Sequence, residues 1–295
     1  MTPHQTTFLN DLEQIVNVSQ VSHYSPFRYP GGKTWFVPRM RQWLASLPRP
    51  ALFIEPFCGG SIIGLTVALE QLADQVVLVE RDPHVAAVWQ LIIHSSRDDV
   101  AWLLQRIRTF EMTSAHVTET LAEAPPNLRE RAFRTLLRNR VNHGGCLAQG
   151  TGMLKTGERG KGLRSRWYPE TIARRIEAIM PVRERIRFVH GDGIGIIQQY
   201  STYPNCVFFV DPPYTRSGRR LYDYADIDHV ALFQAVAHVR GDFLMTYDPA
   251  ESIQQLAAEY EFATALIRMQ NKRHATQQEL IIGRNLHWIT HLAPT

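Results

Sequence analysis

Long apolar runs are missing from this chain, and cysteines nearly so. No hydrophobic stretch approaches the length of a membrane-spanning helix. The opening stretch, Met1 to Gln20, is polar and acidic and lacks the basic start and apolar middle of a secretory signal. Cys58, Cys146 and Cys206 are odd in number and unpaired in spacing, so neither a disulfide framework nor a zinc site is indicated. No histidine pair has the His-Glu-x-x-His spacing, and no cluster of acids with a following lysine suits a metal-dependent nuclease. No metal and no membrane are therefore expected, and a reducing cytoplasm fits.

What is there is ordinary globular composition. The 295 residues are 44% hydrophobic and 20% charged, ample for one large core or a core with a smaller lobe. The net charge of +4 is unevenly spread. Between Leu128 and Arg187 stand 15 Lys and Arg against 5 Asp and Glu, a local balance of +10, whereas the remainder, 17 against 23, sits at −6. A basic block in an otherwise acidic protein points to a polyanionic partner, although most charge runs are solvated helix faces. Gly and aromatic residues interrupt this block, which favours a contact surface.

The rest of the chain is organised around Cys206-Val-Phe-Phe-Val-Asp211-Pro-Pro-Tyr214. Val207 to Val210 read as a strand buried on both faces. Pro212 and Pro213 cannot donate to a ladder, so the chain leaves the sheet stiffly, with Asp211 at the strand end and Tyr214 beyond it. Open α/β sheets bind ligands at that edge. A flat ring bearing an amino group could stack on Tyr214 and donate to Asp211 and the Pro212 carbonyl.

Upstream, Phe27-Arg-Tyr29-Pro-Gly31-Gly32-Lys33 is a turn signal before an Arg-rich amphipathic helix to about Ser46. The glycines allow close backbone approach and Lys33 supplies a cation. A Walker-type phosphate loop is excluded, because Phe27 stands where that motif needs Gly and no strand leads in. Ala51 to Ile54 is a short strand running into Glu55-Pro-Phe57-Cys-Gly59-Gly60-Ser61 and an apolar helix, Ile62 to Leu72. Val76 to Glu80 is a second strand whose terminal acid stands where carboxylates accept hydrogen bonds from ribose hydroxyls. Helical patterns at 84–95, 98–110, 129–141 and 170–180 follow. A Gly-rich stretch, Gly144 to Gly162, without periodicity, lies between the last two. Ile186 to His190 is the third strand, followed by Gly191-Asp192-Gly193. Helices at 227–239 and 251–260 and strands at 242–247, 262–267 and 279–283 complete the pattern. The alternation predicts a doubly wound, largely parallel sheet with an antiparallel edge hairpin. It also sets 126–185 apart as an insertion between the second and third strands, within a unit made of 23–125 and 186–295.

With these motifs in this order, the chain resembles the Dam-like, D12-class DNA adenine N6-methyltransferases from about Phe27 to its end. Phe27 to Lys33 resembles the family's N-terminal cofactor motif, and Phe53 to Gly60 its glycine motif. Asp211-Pro-Pro-Tyr214 is similar to the catalytic motif, and Glu279-Leu-Ile-Ile to the closing strand. The basic block precedes the catalytic motif, as in the family's α group, which implies that 126–185 is the target-recognition segment and the rest, 23–125 and 186–295, the catalytic, cofactor-binding unit. The resemblance implies a Rossmann-like fold, S-adenosylmethionine as cofactor and double-stranded DNA as partner, in the cytoplasm of a bacterial or phage-infected cell. It implies cofactor contacts from Tyr29, Gly31, Gly32, Lys33, Glu55, Phe57, Gly59, Gly60, Glu80, Asp192 and Asp211. Catalysis falls to Asp211, Pro212 and Tyr214. Arg138, Asn139, Arg140, Lys155, Lys161, Arg164 and Arg166 would meet DNA. Two departures stand out. Ser61 replaces the last Gly of the longer glycine motif, and Glu80 replaces a more usual Asp. The loop from Gly144 to Gly162 has no close counterpart in Dam proteins, so no recognition sequence follows.

An extrahelical adenine would stack on Tyr214 and present its amino group to Asp211 and the Pro212 carbonyl, with no covalent intermediate. An RNA or protein-glutamine methyltransferase would share the Pro-Pro-Tyr core. Asp211, in place of Asn, favours adenine, and the basic block favours a duplex. A DNA-binding protein without catalysis would have no use for Asp211, Tyr214, Lys33 and Glu80 together.

Overall fold

The computed structural model describes residues 18–28, 31–157, 160–214, 226–270 and 276–290. In chain order its helices and strands are α1 (Val37–Ala45), β1 (Leu52–Glu55), α2 (Ile62–Leu69), β2 (Gln75–Glu80), α3 (Pro83–His94), α4 (Arg97–Thr109), α5 (Ser114–Ala122), α6 (Leu128–Val141), α7 (Pro169–Ile179), β3 (Ile186–His190), α8 (Gly193–Tyr200), β4 (Cys206–Val210), α9 (His229–Ala237), β5 (Asp242–Tyr247), α10 (Glu251–Glu259), β6 (Ala263–Gln270) and β7 (Thr276–Gly283). Among the described residues, no helix is long and apolar enough to cross a membrane.

The strands form one sheet in the order β3-β2-β1-β4-β5-β7-β6. The first five are parallel, and β7 enters antiparallel between β5 and β6. This is the doubly wound, largely parallel sheet expected from the alternation of elements, with its antiparallel hairpin at the edge.

Period-two alternation along each strand builds two cores, one on either face. Phe53, Val76, Leu78, Val207 and Phe209 point into one, where they meet Trp43 of α1, Ile63 of α2, Trp89 of α3, Leu103 of α4, Leu137 of α6 and Ile176 of α7. Ile54, Val77, Val79, Phe208 and Val210 point into the other, against Ile197 of α8, Phe233 of α9 and Ile253 of α10. All five residues of β4 are buried, as a strand at the middle of a two-faced sheet requires.

Helix starts follow local chemistry. The Asp82 carboxylate accepts from the His84 N–H at 2.7 Å, with Pro83 in the first turn of α3. Ser96 and Asp99 form a reciprocal capping box on α4. Two helices, α5 and α8, were not expected from the sequence. The short α8 carries Gly193 and Gly195, which weaken a helical signal. Its start is set by Asp192, whose Oδ2 accepts from the Gly195 N–H at 2.8 Å. The Gly191-Asp192-Gly193 turn is thus a helix cap as well.

Candidate active site

Strand order reverses between β1 and β4, and a crevice opens outside the carboxyl ends of strands at such a switch. Two carboxylates mark its sides, Glu55 at the end of β1 and Asp211 just past β4. Chain reversal brings a third there. Because β7 runs antiparallel, with Leu280 opposite Tyr247, its residue Glu279 lies at the carboxyl edge of the parallel strands.

Lys33 ties this edge together. It opens a 3₁₀ turn ahead of α1, and its side chain is only 5% exposed. Its Nζ lies 2.9 Å from Asp211 Oδ1 and 2.8 Å from Glu279 Oε1. It also donates to the Tyr214 hydroxyl at 2.6 Å and to the Gly31 carbonyl at 3.3 Å. That hydroxyl in turn donates to Glu279 Oε1. Thr246 Oγ1 donates to Asp211 Oδ1 at 2.8 Å. Burial would lower the lysine, but the Asp211 and Glu279 carboxylates outweigh it and raise its pKa, so Lys33 is a cation. Burial raises Glu279, and Lys33 offsets only part of that. Burial, with Asp211 and Glu279 nearby, pushes the Tyr214 phenol well up, so it remains a donor.

The Tyr214 ring stacks on Tyr247 with centroids 6.0 Å apart, and Lys33 Nζ sits 4.9 Å from its centroid. Pro212 is buried. Sequence reasoning had placed Glu279 only as the head of a closing strand, and had passed over Thr246. A lone acid leading a run of Leu and Ile was the available signal for the first.

The glycine turn after β1 folds onto two more acids. Glu55, 4% exposed, accepts from Ser61 Oγ at 2.7 Å and from the Gly64 N–H at 3.0 Å. Burial pushes its carboxyl up to about 8 against those two bonds, and the charges of Asp211 and Glu80 add to the rise. Glu80, at the end of β2, accepts from the Gly59 N–H at 2.9 Å and the Asp82 N–H at 2.8 Å, and burial brings it to about 7. Gly60 is buried beside them, and Phe57 is half-buried, packed on the core of the α8–α10 face. A Cβ at Gly193 would lie 2.5 Å from the Pro56 carbonyl, so the start of α8 closes directly on this turn.

Ser61 adopts a left-handed φ of 48°. That is the conformation a glycine takes without strain, which accounts for the Gly the resemblance leads one to expect there. Its hydroxyl bond to Glu55 offsets part of the cost. Gly31 and Gly32 are exposed ahead of Lys33, Asp192 is exposed at its cap, and Tyr29 lies outside the described residues.

The basic segment divides into two kinds of residue. Lys155, Lys161 and Arg164 are exposed, and Arg138 and Arg166 are half-buried. Arg164 Nε donates to the Met112 carbonyl at 3.0 Å. Asn139 and Arg140, by contrast, point inward. Asn139 is wholly buried, accepting from the Arg28 N–H at 2.8 Å and donating to the Arg28 and Gly145 carbonyls at 3.0 and 2.7 Å. Arg140 donates to the Pro26 carbonyl, and burial, followed by the charges of Arg175 and Arg28, lowers its guanidinium to about 9. These two side chains hold the chain that leads to Lys33.

No protein-family model matches the chain, and no curated protein matches it in sequence. Solved structures overlap it in outline. A protein from Pyrococcus horikoshii assigned as an RNA methyltransferase shares 9% identity over 96% of this chain and 98% of its own, with a TM-score of 0.40. The rRNA methyltransferase aviRa of Streptomyces viridochromogenes shares 15% over 96% and 94%, with a TM-score of 0.39. A precorrin-6y C5,15-methyltransferase of Geobacter metallireducens shares 6% over 84% and 87%, with a TM-score of 0.38. Overlaps this partial carry none of those proteins' substrates to this chain.

Proposed function

We propose that this protein is a DNA adenine N6-methyltransferase that uses S-adenosylmethionine. The observation that supports it most is Asp211 at the carboxyl end of β4, held by Lys33 and Thr246 beside Tyr214 at the switch of the sheet. The acid-lined crevice suits a cationic cofactor. Glu55 is buried and Glu80 half-buried, neither has an ion-pair partner among the described residues, and desolvation pushes both carboxyls up. Glu80 would hold ribose hydroxyls, and the turn from Glu55 to Ser61 would line the side opposite Asp211.

S-adenosylmethionine supplies an already activated methyl group on sulfonium sulfur. The chain's task is then alignment. Asp211 accepts hydrogen bonds from the adenine amino group, which leaves the nitrogen lone pair turned to the methyl carbon. Tyr214 lends its ring to the extruded base, worth about 1–3 kcal/mol of stacking. Incubating the protein with labelled cofactor and duplex DNA, then digesting the DNA to nucleosides, tests the reading. Label in N6-methyl-2′-deoxyadenosine is expected. No label in DNA, with label instead in RNA or protein glutamine supplied in parallel, overturns it.

Cofactor binding should depend on pH. A cationic ligand beside Glu80 favours the ionised carboxylate, which is protonated below about 7 in the free protein. Binding should therefore release protons and tighten as pH rises from about 6 to 7.5, below the titration of the ligand's own amino group at about 8. Glu80→Ala should weaken binding at pH 7.5 by about 1–3 kcal/mol and flatten that dependence. Calorimetry in two buffers of different ionisation enthalpy reads both quantities. An unchanged dissociation constant and unchanged proton release would remove Glu80 from the site.

DNA binding should rest on the outward cations. Lys155→Ala with Lys161→Ala should weaken binding across all sequences and reduce the slope of log affinity against log salt by about one unit per contact. Cofactor affinity should stay at the wild-type value. A wild-type salt slope in the double variant would place the duplex elsewhere.

A further inference from the structure

Two carboxylates face the Lys33 ammonium, the buried Glu279 and the half-buried Asp211, and only Asp211 belongs to the loop after β4. We propose that Glu279 is a positioning residue of the site: by taking up the Lys33 charge and the Tyr214 hydroxyl, it keeps Asp211 available to the amino group that is methylated. The inference rests on the methyl-transfer reading above and extends it to a residue outside the catalytic loop.

The contacts carry it. Glu279 is 3% exposed, and its Oε1 receives both Lys33 Nζ, at 2.8 Å, and the Tyr214 hydroxyl. Lys33 meets the oxygen of Asp211 that Thr246 also addresses, and the Asp211 side chain keeps 22% exposure. Lys33 and Glu279 are deeply buried and weakly screened, so one lysine between two carboxylates divides its attraction. Without Glu279, Asp211 would be the sole countercharge, and the ion pair would compete with an incoming amino group for the same carboxylate. The groups facing Lys33 are Asp211, Glu279 and Tyr214. Asp211 in turn acts through its charge on Glu55 and Tyr247. The antiparallel entry of β7 is what delivers this acid to the edge, since a parallel strand would present its first residues at the opposite end.

Glu279→Gln keeps the shape and removes the charge, and two measurements read the result. In the protein without nucleic acid, the Lys33 amine, followed by nitrogen-15 NMR and assigned with Lys33→Gln, should titrate at lower pH in the variant than in the wild type. In methyl transfer near pH 7.5, kcat should fall by about tenfold to a hundredfold, the span of one charged hydrogen bond, with the cofactor KM unchanged. The deficit should shrink as pH rises through the variant's Lys33 titration, because neutral Lys33 releases Asp211. Glu279→Asp, which keeps the charge at a shorter reach, should show a smaller deficit, and it serves as the variant of record if the glutamine protein does not fold. A deficit equal at every pH, no deficit, or an unshifted Lys33 titration overturns the inference. Absence of transfer to DNA by the wild-type protein overturns the reading beneath it, a result distinct from any Lys33 titration.

Discussion

Replacing Asp211 with Asn should cut methyl transfer by about a hundredfold to a thousandfold while the protein stays folded. An ionised carboxylate can only accept hydrogen bonds, and the proposed adenine substrate offers a donating amino group. An amide in its place turns one of its two heavy atoms into a competing donor. Stability should change by only about 1 kcal/mol. Removing one partner of a buried ion pair is usually costly because the other charge is stranded, yet here Lys33 keeps Glu279 at 2.8 Å. The Asn oxygen can still accept from Thr246. Single-turnover rates with labelled cofactor, beside a thermal melt, separate the two effects. A variant that transfers methyl groups at the wild-type rate would remove Asp211 from the chemistry. A collapsed melt would mean that Lys33 depends on it for folding.

The parts of this molecule that were legible from sequence are those whose signal is local. The parallel strands are short and mostly apolar, with β3 alternating as Ile-Arg-Phe-Val-His, and both cores follow from period-two alternation along them. Asp211 was found because two prolines and a tyrosine mark the strand end. Glu279 was not, because its meaning depends on β7 running antiparallel beside β5, a pairing that no local pattern encodes. The role of Ser61 needed its left-handed φ, and α8 was masked by its own glycines. Asn139 and Arg140 drew attention as polar residues on a helix in the basic block. Their partners, Pro26 and Arg28, lie more than a hundred positions away in the chain, and burial of that kind leaves no periodicity to read.

Asn139→Ala should accordingly act on stability and leave the choice of DNA site alone. The side chain clasps the segment before Lys33 to α6, with three hydrogen bonds to backbone groups of Arg28 and Gly145. Its neighbours pull the same way. Arg140 holds the Pro26 carbonyl, Arg175 donates to the Ser25 carbonyl at 3.1 Å, and the Phe27 ring, fully buried, packs 5.5 Å from Trp89. Alanine would remove one bond from each of three backbone groups, two part-buried at Arg28 and one buried at Gly145, at about 1 kcal/mol apiece. A loss of about 3 kcal/mol in unfolding free energy is expected, which places this variant among the strongly destabilising ones. Gly145→Ala should do comparable harm by another route. Its φ of 83° suits glycine, and a Cβ there would stand 2.2 Å from the Arg28 carbonyl oxygen. Urea titrations of both variants measure the cost, and sequencing the methylated DNA made by the surviving folded protein reads the specificity. The methylated sequence should match the wild type even where activity falls, because a loosened clasp displaces Lys33 and leaves the exposed cations Lys155, Lys161 and Arg164 untouched. An altered methylation site with wild-type stability would instead make Asn139 a reader of bases, against every contact its side chain makes.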